Sequence, residues 1–108
     1  MRYLLDTHAL LWIVADDNRL GQNTRSIYLN EMNDIYLSMA SVWEMAIKIS
    51  LDKLKIPGTL SEFVEMHVRG NKINILSIEL KHVYQLENLT FYHRDPFDRL
   101  IISQAIVE

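Results

Sequence analysis

Arg2-Tyr3-Leu4-Leu5-Asp6-Thr7-His8-Ala9-Leu10-Leu11-Trp12 is the stretch on which the fold turns. Arg2 to Leu5 reads as a short buried strand, and an apolar helix follows at once, from about His8 to Ala15, where Asp16-Asp17-Asn18 breaks it. The same step from strand to helix recurs twice further on. A helix from about Leu20 to Met32 and a turn at Asn33-Asp34 lead into a second strand, Ile35 to Ser38, and then a helix from Ser41 to about Leu51. Pro57-Gly58 marks a loop, Leu60 to about Val68 a helix stopped by Gly70-Asn71, and Ile73 to Leu76 a third strand. Ile78 to Leu86 forms another helix, and the polar, aromatic loop Asn88 to Arg94 precedes a last one opening at Asp95-Pro96. Strands alternating with helices predict an α/β fold with a short parallel sheet.

Composition narrows the chemistry. At 108 residues, 49% apolar and 23% charged, the chain is expected to form one soluble globular domain. The absence of cysteine excludes disulfides, zinc ribbons and thiol catalysis, and fits a reducing cytoplasm. No apolar run approaches the ~18 residues a membrane span needs, and none carries the basic leader of a signal peptide. The net charge of −3 means that any nucleic-acid partner must be drawn by a local basic patch or by bound cations.

Three acids stand at similar places, where an apolar segment meets the start of a helix: Asp6, Glu44 and Asp98. In a parallel sheet, ligands bind beyond the carboxyl ends of the strands. Asp6 follows the first strand and Glu44 lies a helical turn past the second, so both are expected on one edge. At about 100° per residue, Asp98 shares a face with Ile101, Ile102 and Ala105, which predicts a carboxylate pointed into the protein. Carboxylates about 5 Å apart repel by roughly 3 kcal/mol per pair at an effective dielectric of ~20. Such a cluster holds protons or a divalent cation, and an all-oxygen donor set selects a hard ion, Mg²⁺ or Mn²⁺.

Capping explains some of these residues without any chemistry. Asp6 or Thr7 suits the start of the first helix, and Asp95 before Pro96 suits the start of the last. Ser41-Val42-Trp43-Glu44 matches a capping box, and Glu44 also has Lys48 one turn on. His8 is a candidate for assisting phosphate binding or an ordinary surface histidine. His67, His82 and His93 share no ligand spacing, and Trp12 and Trp43 are expected in the core or in a partner groove.

Taken together, three elements resemble the PIN-domain ribonucleases and, more narrowly, the VapC-like toxins of toxin–antitoxin pairs. They are Asp6-Thr7-His8, Ser41-Val42-Trp43-Glu44-Met45-Ala46-Ile47-Lys48 and His93-Arg94-Asp95-Pro96-Phe97-Asp98-Arg99-Leu100. The resemblance runs the length of the chain, with the motifs in order. It implies a Rossmann-like three-layer fold and a metal-dependent endoribonuclease with Asp6, Glu44 and Asp98 around Mg²⁺ or Mn²⁺. It also implies an auxiliary role for Asp95, a ligand- or water-binding role for Thr7, dimerisation, and an antitoxin that covers the acidic site. Arg99 is a candidate for contacting RNA phosphate, a surface role being equally compatible with its position. The family's last strand and last acid belong after Glu108, so residues 1–108 are expected to form a PIN-like domain incomplete at its carboxyl end. The alternative is an inactive module that binds an antitoxin-type partner. A phosphoacceptor receiver fits less well, because the third strand runs into Ser77 rather than an acid. A haloacid-dehalogenase-type phosphatase fits poorly too, because His8 stands where it needs a second acid.

Overall fold

The computed structural model describes residues 1–89 and 95–108. Strand β1 (Arg2–Leu5) is followed by helices α1 (Thr7–Ala15) and α2 (Gln22–Leu29), and β2 (Asp34–Ser38) by α3 (Met39–Ser50) and α4 (Leu60–His67). Next come β3 (Asn74–Leu76), α5 (Leu80–Gln85) and α6 (Pro96–Val107). The strands form one sheet in the order β1-β2-β3, and both pairings are parallel, as the alternation of elements predicts.

Strand periodicity sorts the apolar residues onto two faces. Leu5, Ile35 and Leu37 join Leu10, Met45, Phe63 and Val68 in one cluster, so α1 and α4 cover that face. Leu4, one residue out of phase with Leu5, packs on the other face against Ala40, Leu100 and Ile101, under α6. The result is three layers, helix on sheet on helix. Leu10, Leu37 and Met45 are fully buried, each contributing about 1.5–3 kcal/mol of transfer free energy.

Two features of this frame place the site. Leu5 pairs with Leu37, so β1 and β2 reach the carboxyl edge in register, with Asp6 and Ser38 the next residues along. Helix α3 straddles the layers, with Ala40 in one apolar cluster and Met45 in the other. Its middle turn, which carries Glu44, therefore lies between the beginnings of α1 and α6.

Several boundaries differ from the sequence expectation for identifiable reasons. Helix α3 starts earlier, because Ser38 Oγ accepts from Ala40 N at 2.9 Å and serves as the cap. Ser41 then lies inside the helix, and the capping box expected of Ser41 and Glu44 is not formed. Helix α2 is shorter, beginning after Gly21 and ending at Asn30. Helix α5 is also short and passes into a 3-10 turn at Leu86–Asn88. The break after α1 falls where expected, with Asp16 in the left-handed region at φ 52°.

Candidate active site

Asp6 caps α1: its Oδ1 accepts from Ala9 N at 2.6 Å, and the residue is exposed. Among the described residues, Oδ2 receives no hydrogen bond. Capping and ligation are compatible here, because the cap occupies one oxygen and fixes the direction of the carboxylate.

Glu44 is the opposite case. It is only 4% exposed, and a buried carboxylate is tolerated only with partners for its charge. Thr7 Oγ1 donates to Oε1 at 2.8 Å, and Lys48 Nζ pairs with Oε2 at 2.7 Å. Thr7 Oγ1 also lies 2.9 Å from Ser41 Oγ. A hydroxyl has a single proton, so with that of Thr7 given to Glu44, Ser41 is the donor in the second bond. Sequence reasoning took Thr7 as a residue that would reach a ligand or water. In the structure it is, with Ser41, a brace on Glu44.

Asp98 departs from its expected setting. It is exposed, as is Ala105, and the buried residues of α6 are Leu100, Ile101, Ser103 and Gln104. The buried stripe is thus rotated away from the one expected, and Asp98 lies at its margin. Its electrostatics still mark it out. Partial desolvation pushes its carboxyl above the usual range, the charges of Asp95, Glu44 and Asp6 push it further, and His8 acts in the opposite direction. Acids from three separate stretches of chain therefore act on one carboxyl at the carboxyl edge of the sheet. Asp6, Glu44 and Asp98 are not among the described groups whose ligand atoms lie within 4.8 Å of one another.

Asp95 caps α6, accepting from Phe97 N at 2.8 Å and Asp98 N at 3.3 Å. Arg99 is half-buried, with Nη2 3.5 Å from Leu89 O. His93 and Arg94 lie outside the described residues. Trp43, expected in the core or a groove, is 53% exposed and meets Phe97 edge to face at 4.9 Å between ring centroids. Trp12 is half-buried, with His8 beside it and the Arg19 guanidinium 5.4 Å over its ring.

The sequence model of the PIN domain matches residues 3–108. The chain belongs to the PIN-domain family. PIN domains are in general nucleases, and the parallel three-layer fold described above agrees with the assignment. No curated protein sequence matches the chain. Among the described residues, no helix is long and apolar enough to cross a membrane.

Among the described residues, metal-like spacing occurs instead at a different group. Glu79, His82 and Glu108 each place a ligand atom within 4.8 Å of the others. The hydrogen bonds argue that this group is structural. His82 Nδ1 accepts from Glu79 N at 3.0 Å, and Gln104 Nε2 lies 3.4 Å from the same nitrogen. With two N–H donors facing Nδ1, the neutral ring carries its proton on Nε2 and donates it to Glu108 Oε2 at 2.7 Å. A metal at Nε2 would require moving that proton to Nδ1, against both donors. Lys81 already supplies positive charge, 3.0 Å from Glu108. Hydrogen bonds from His82 and then Lys81 hold the Glu108 carboxyl below its ordinary value. This network ties the start of α5 to the end of α6, and His82, to which sequence reasoning assigned nothing, is its centre.

Proposed function

We propose that this PIN domain, residues 1–108, is a Mg²⁺- or Mn²⁺-dependent endoribonuclease of the VapC-like type, the toxin of a toxin–antitoxin pair. The observation that carries the reading is the PIN-family match over residues 3–108, with Asp6 directly after β1 and Glu44 tied to the neighbouring Thr7 at the same edge. The raised Asp98 carboxyl, due first to desolvation and then to Asp95, Glu44 and Asp6, agrees with it. Negative charge accumulated on exposed oxygens fits a hard divalent cation. Asp6 and Asp98 are the residues proposed to hold it, with Glu44 acting directly or through water. When bound, the cation lowers the pKa of a water and neutralises charge on a phosphate. Asp95 and the α1 cap orient the two exposed acids, and Thr7, Ser41 and Lys48 keep Glu44 in place. His8, exposed on the first turn of α1, is suited to meet a phosphate oxygen. The VapC resemblance adds a homodimer, a cytoplasmic setting and an antitoxin that covers the acids.

The test is cleavage of single-stranded RNA with Mg²⁺ or Mn²⁺. Activity should disappear with EDTA and in Asp6→Asn and Asp98→Asn; activity persisting in either variant removes that residue from the mechanism. One observation favours a second reading, the inactive antitoxin-binding module: both Glu44 oxygens already have partners. Stable capture of an antitoxin peptide, with no cleavage under any divalent ion, would select it.

A further inference from the structure

We infer that Trp43 is a base-stacking platform that positions RNA over the acidic edge; the inference rests on the nuclease reading and deepens it. Trp43 immediately precedes Glu44, and its ring neighbour Phe97 immediately precedes Asp98, so the aromatic pair lies where the acid-bearing turns of α3 and α6 meet. Phe97 is itself packed on the apolar cluster of Leu100 and Ile101, which anchors the aromatic pair to the core. The rings meet at 83°. In an edge-to-face pair, Phe97 itself covers at most one face of the indole. Trp43 is 53% exposed, which leaves room for a base on the indole.

An exposed tryptophan beside a phosphate-cleaving centre suits an unpaired nucleobase, since every base presents a π-face and stacking is tolerant of sequence. Trp12 is a poorer candidate, because Arg19 covers its ring. The stacked base would fix the position of the adjacent phosphate relative to Asp6 and Asp98, which is the role of a substrate-positioning residue. A net charge of −3 makes such a non-ionic contact the more valuable, as the whole-molecule field repels the backbone.

The experiment uses the Trp12→Phe protein, in which Trp43 is the sole tryptophan, with Ca²⁺ present and cleavage thereby suppressed. Short oligoadenylate should quench its fluorescence, whereas the matching abasic sugar–phosphate strand should not. Adding Trp43→Ala should weaken oligoadenylate binding about 5- to 150-fold, the equivalent of stacking worth about 1–3 kcal/mol. Trp43→Phe should recover much of that affinity, and in cleavage assays Trp43→Ala should raise KM more than it lowers kcat. Equal quenching by the abasic strand, or unchanged binding in Trp43→Ala, overturns the inference. So does a dimer that dissociates on Trp43→Ala together with base-independent quenching, which would make the indole a contact between copies. Base-dependent quenching in a protein that cleaves nothing would sustain the platform and remove the nuclease reading. Metal-dependent cleavage with wild-type KM in Trp43→Ala would do the reverse.

Discussion

The carboxyl edge of the sheet and the α5–α6 junction both gather acids around a histidine, yet they are built on opposite principles. At the junction, His82 is fully buried, both ring nitrogens are engaged, and Lys81 answers Glu79 and Glu108. At the edge, Asp6 and Asp98 are exposed, and Asp98 experiences the negative charge of its neighbours. In the tighter cluster each carboxylate faces Lys81 and the histidine is fully hydrogen-bonded; in the looser one Asp98 has like charges as neighbours. On the proposed reading, the cation belongs with the like-charged acids of the edge rather than with the more closely spaced group at the junction.

Substitutions should expose that contrast, beginning with catalysis. Asp6→Asn or Asp98→Asn should lower metal-dependent RNA cleavage at least about 100-fold, a loss of about 3 kcal/mol of transition-state stabilisation. Single-turnover rates on a defined RNA measure it. The junction should respond in stability instead. His82→Ala leaves a cavity and several unpaired polar groups, so it should cost about 2–4 kcal/mol and lower Tm by roughly 10 °C or more. Cleavage per folded molecule should hold, and a rate loss matching that of Asp98→Asn would erase the distinction between the regions.

Thr7→Val probes the boundary between the two behaviours. It removes the hydroxyl that donates to buried Glu44, a charge-assisted bond worth about 1.5–3 kcal/mol. Chemical denaturation should show that loss, and cleavage should fall with it, because Glu44 loses a brace.

Much of this arrangement was legible in the sequence, for a geometric reason. Parallel strands end on the same side, so an acid directly after β1 and another one turn past β2 must share an edge. The setting of Asp98 was not legible, because hydropathy places Ser103 and Gln104 outside while the fold buries both. Gln104 accepts from Ser38 and donates to Ser77 O at 3.2 Å, and Ser103 donates to His82 O. Those bonds rotate the buried face of α6 and bring Asp98 to the surface. Ser41 was misread for a related reason: three-residue spacing to Glu44 describes a cap, but equally two side chains on one helix face. Residue spacing alone does not choose between them; Ser38, ending β2, does.

Smaller effects should separate the regions by sign. In EDTA, Asp98→Asn should raise Tm slightly, since the wild-type carboxylate is disfavoured by desolvation and by Asp95, Glu44 and Asp6. Glu108→Gln should lower it, and in a pH-dependent way. The Glu108 carboxyl is held below its ordinary 4.5 by His82 and Lys81. Its contribution is therefore complete above about pH 4.5 and is lost as pH falls through the lower folded value. Melting curves between pH 7 and about pH 3 should show a shallower acid limb in Glu108→Gln than in the wild type.

The most direct measurement is a Mn²⁺ titration of Tm on the wild type, Asp98→Asn and His82→Ala. A cation held by the edge acids stabilises the fold by about 2.7 kcal/mol at a hundredfold excess over Kd. The wild type and His82→Ala should both show that rise, and Asp98→Asn should show little of it. No shift in the wild type, or a shift that vanishes with His82 and persists without Asp98, would contradict the assignment of the metal to the carboxyl edge.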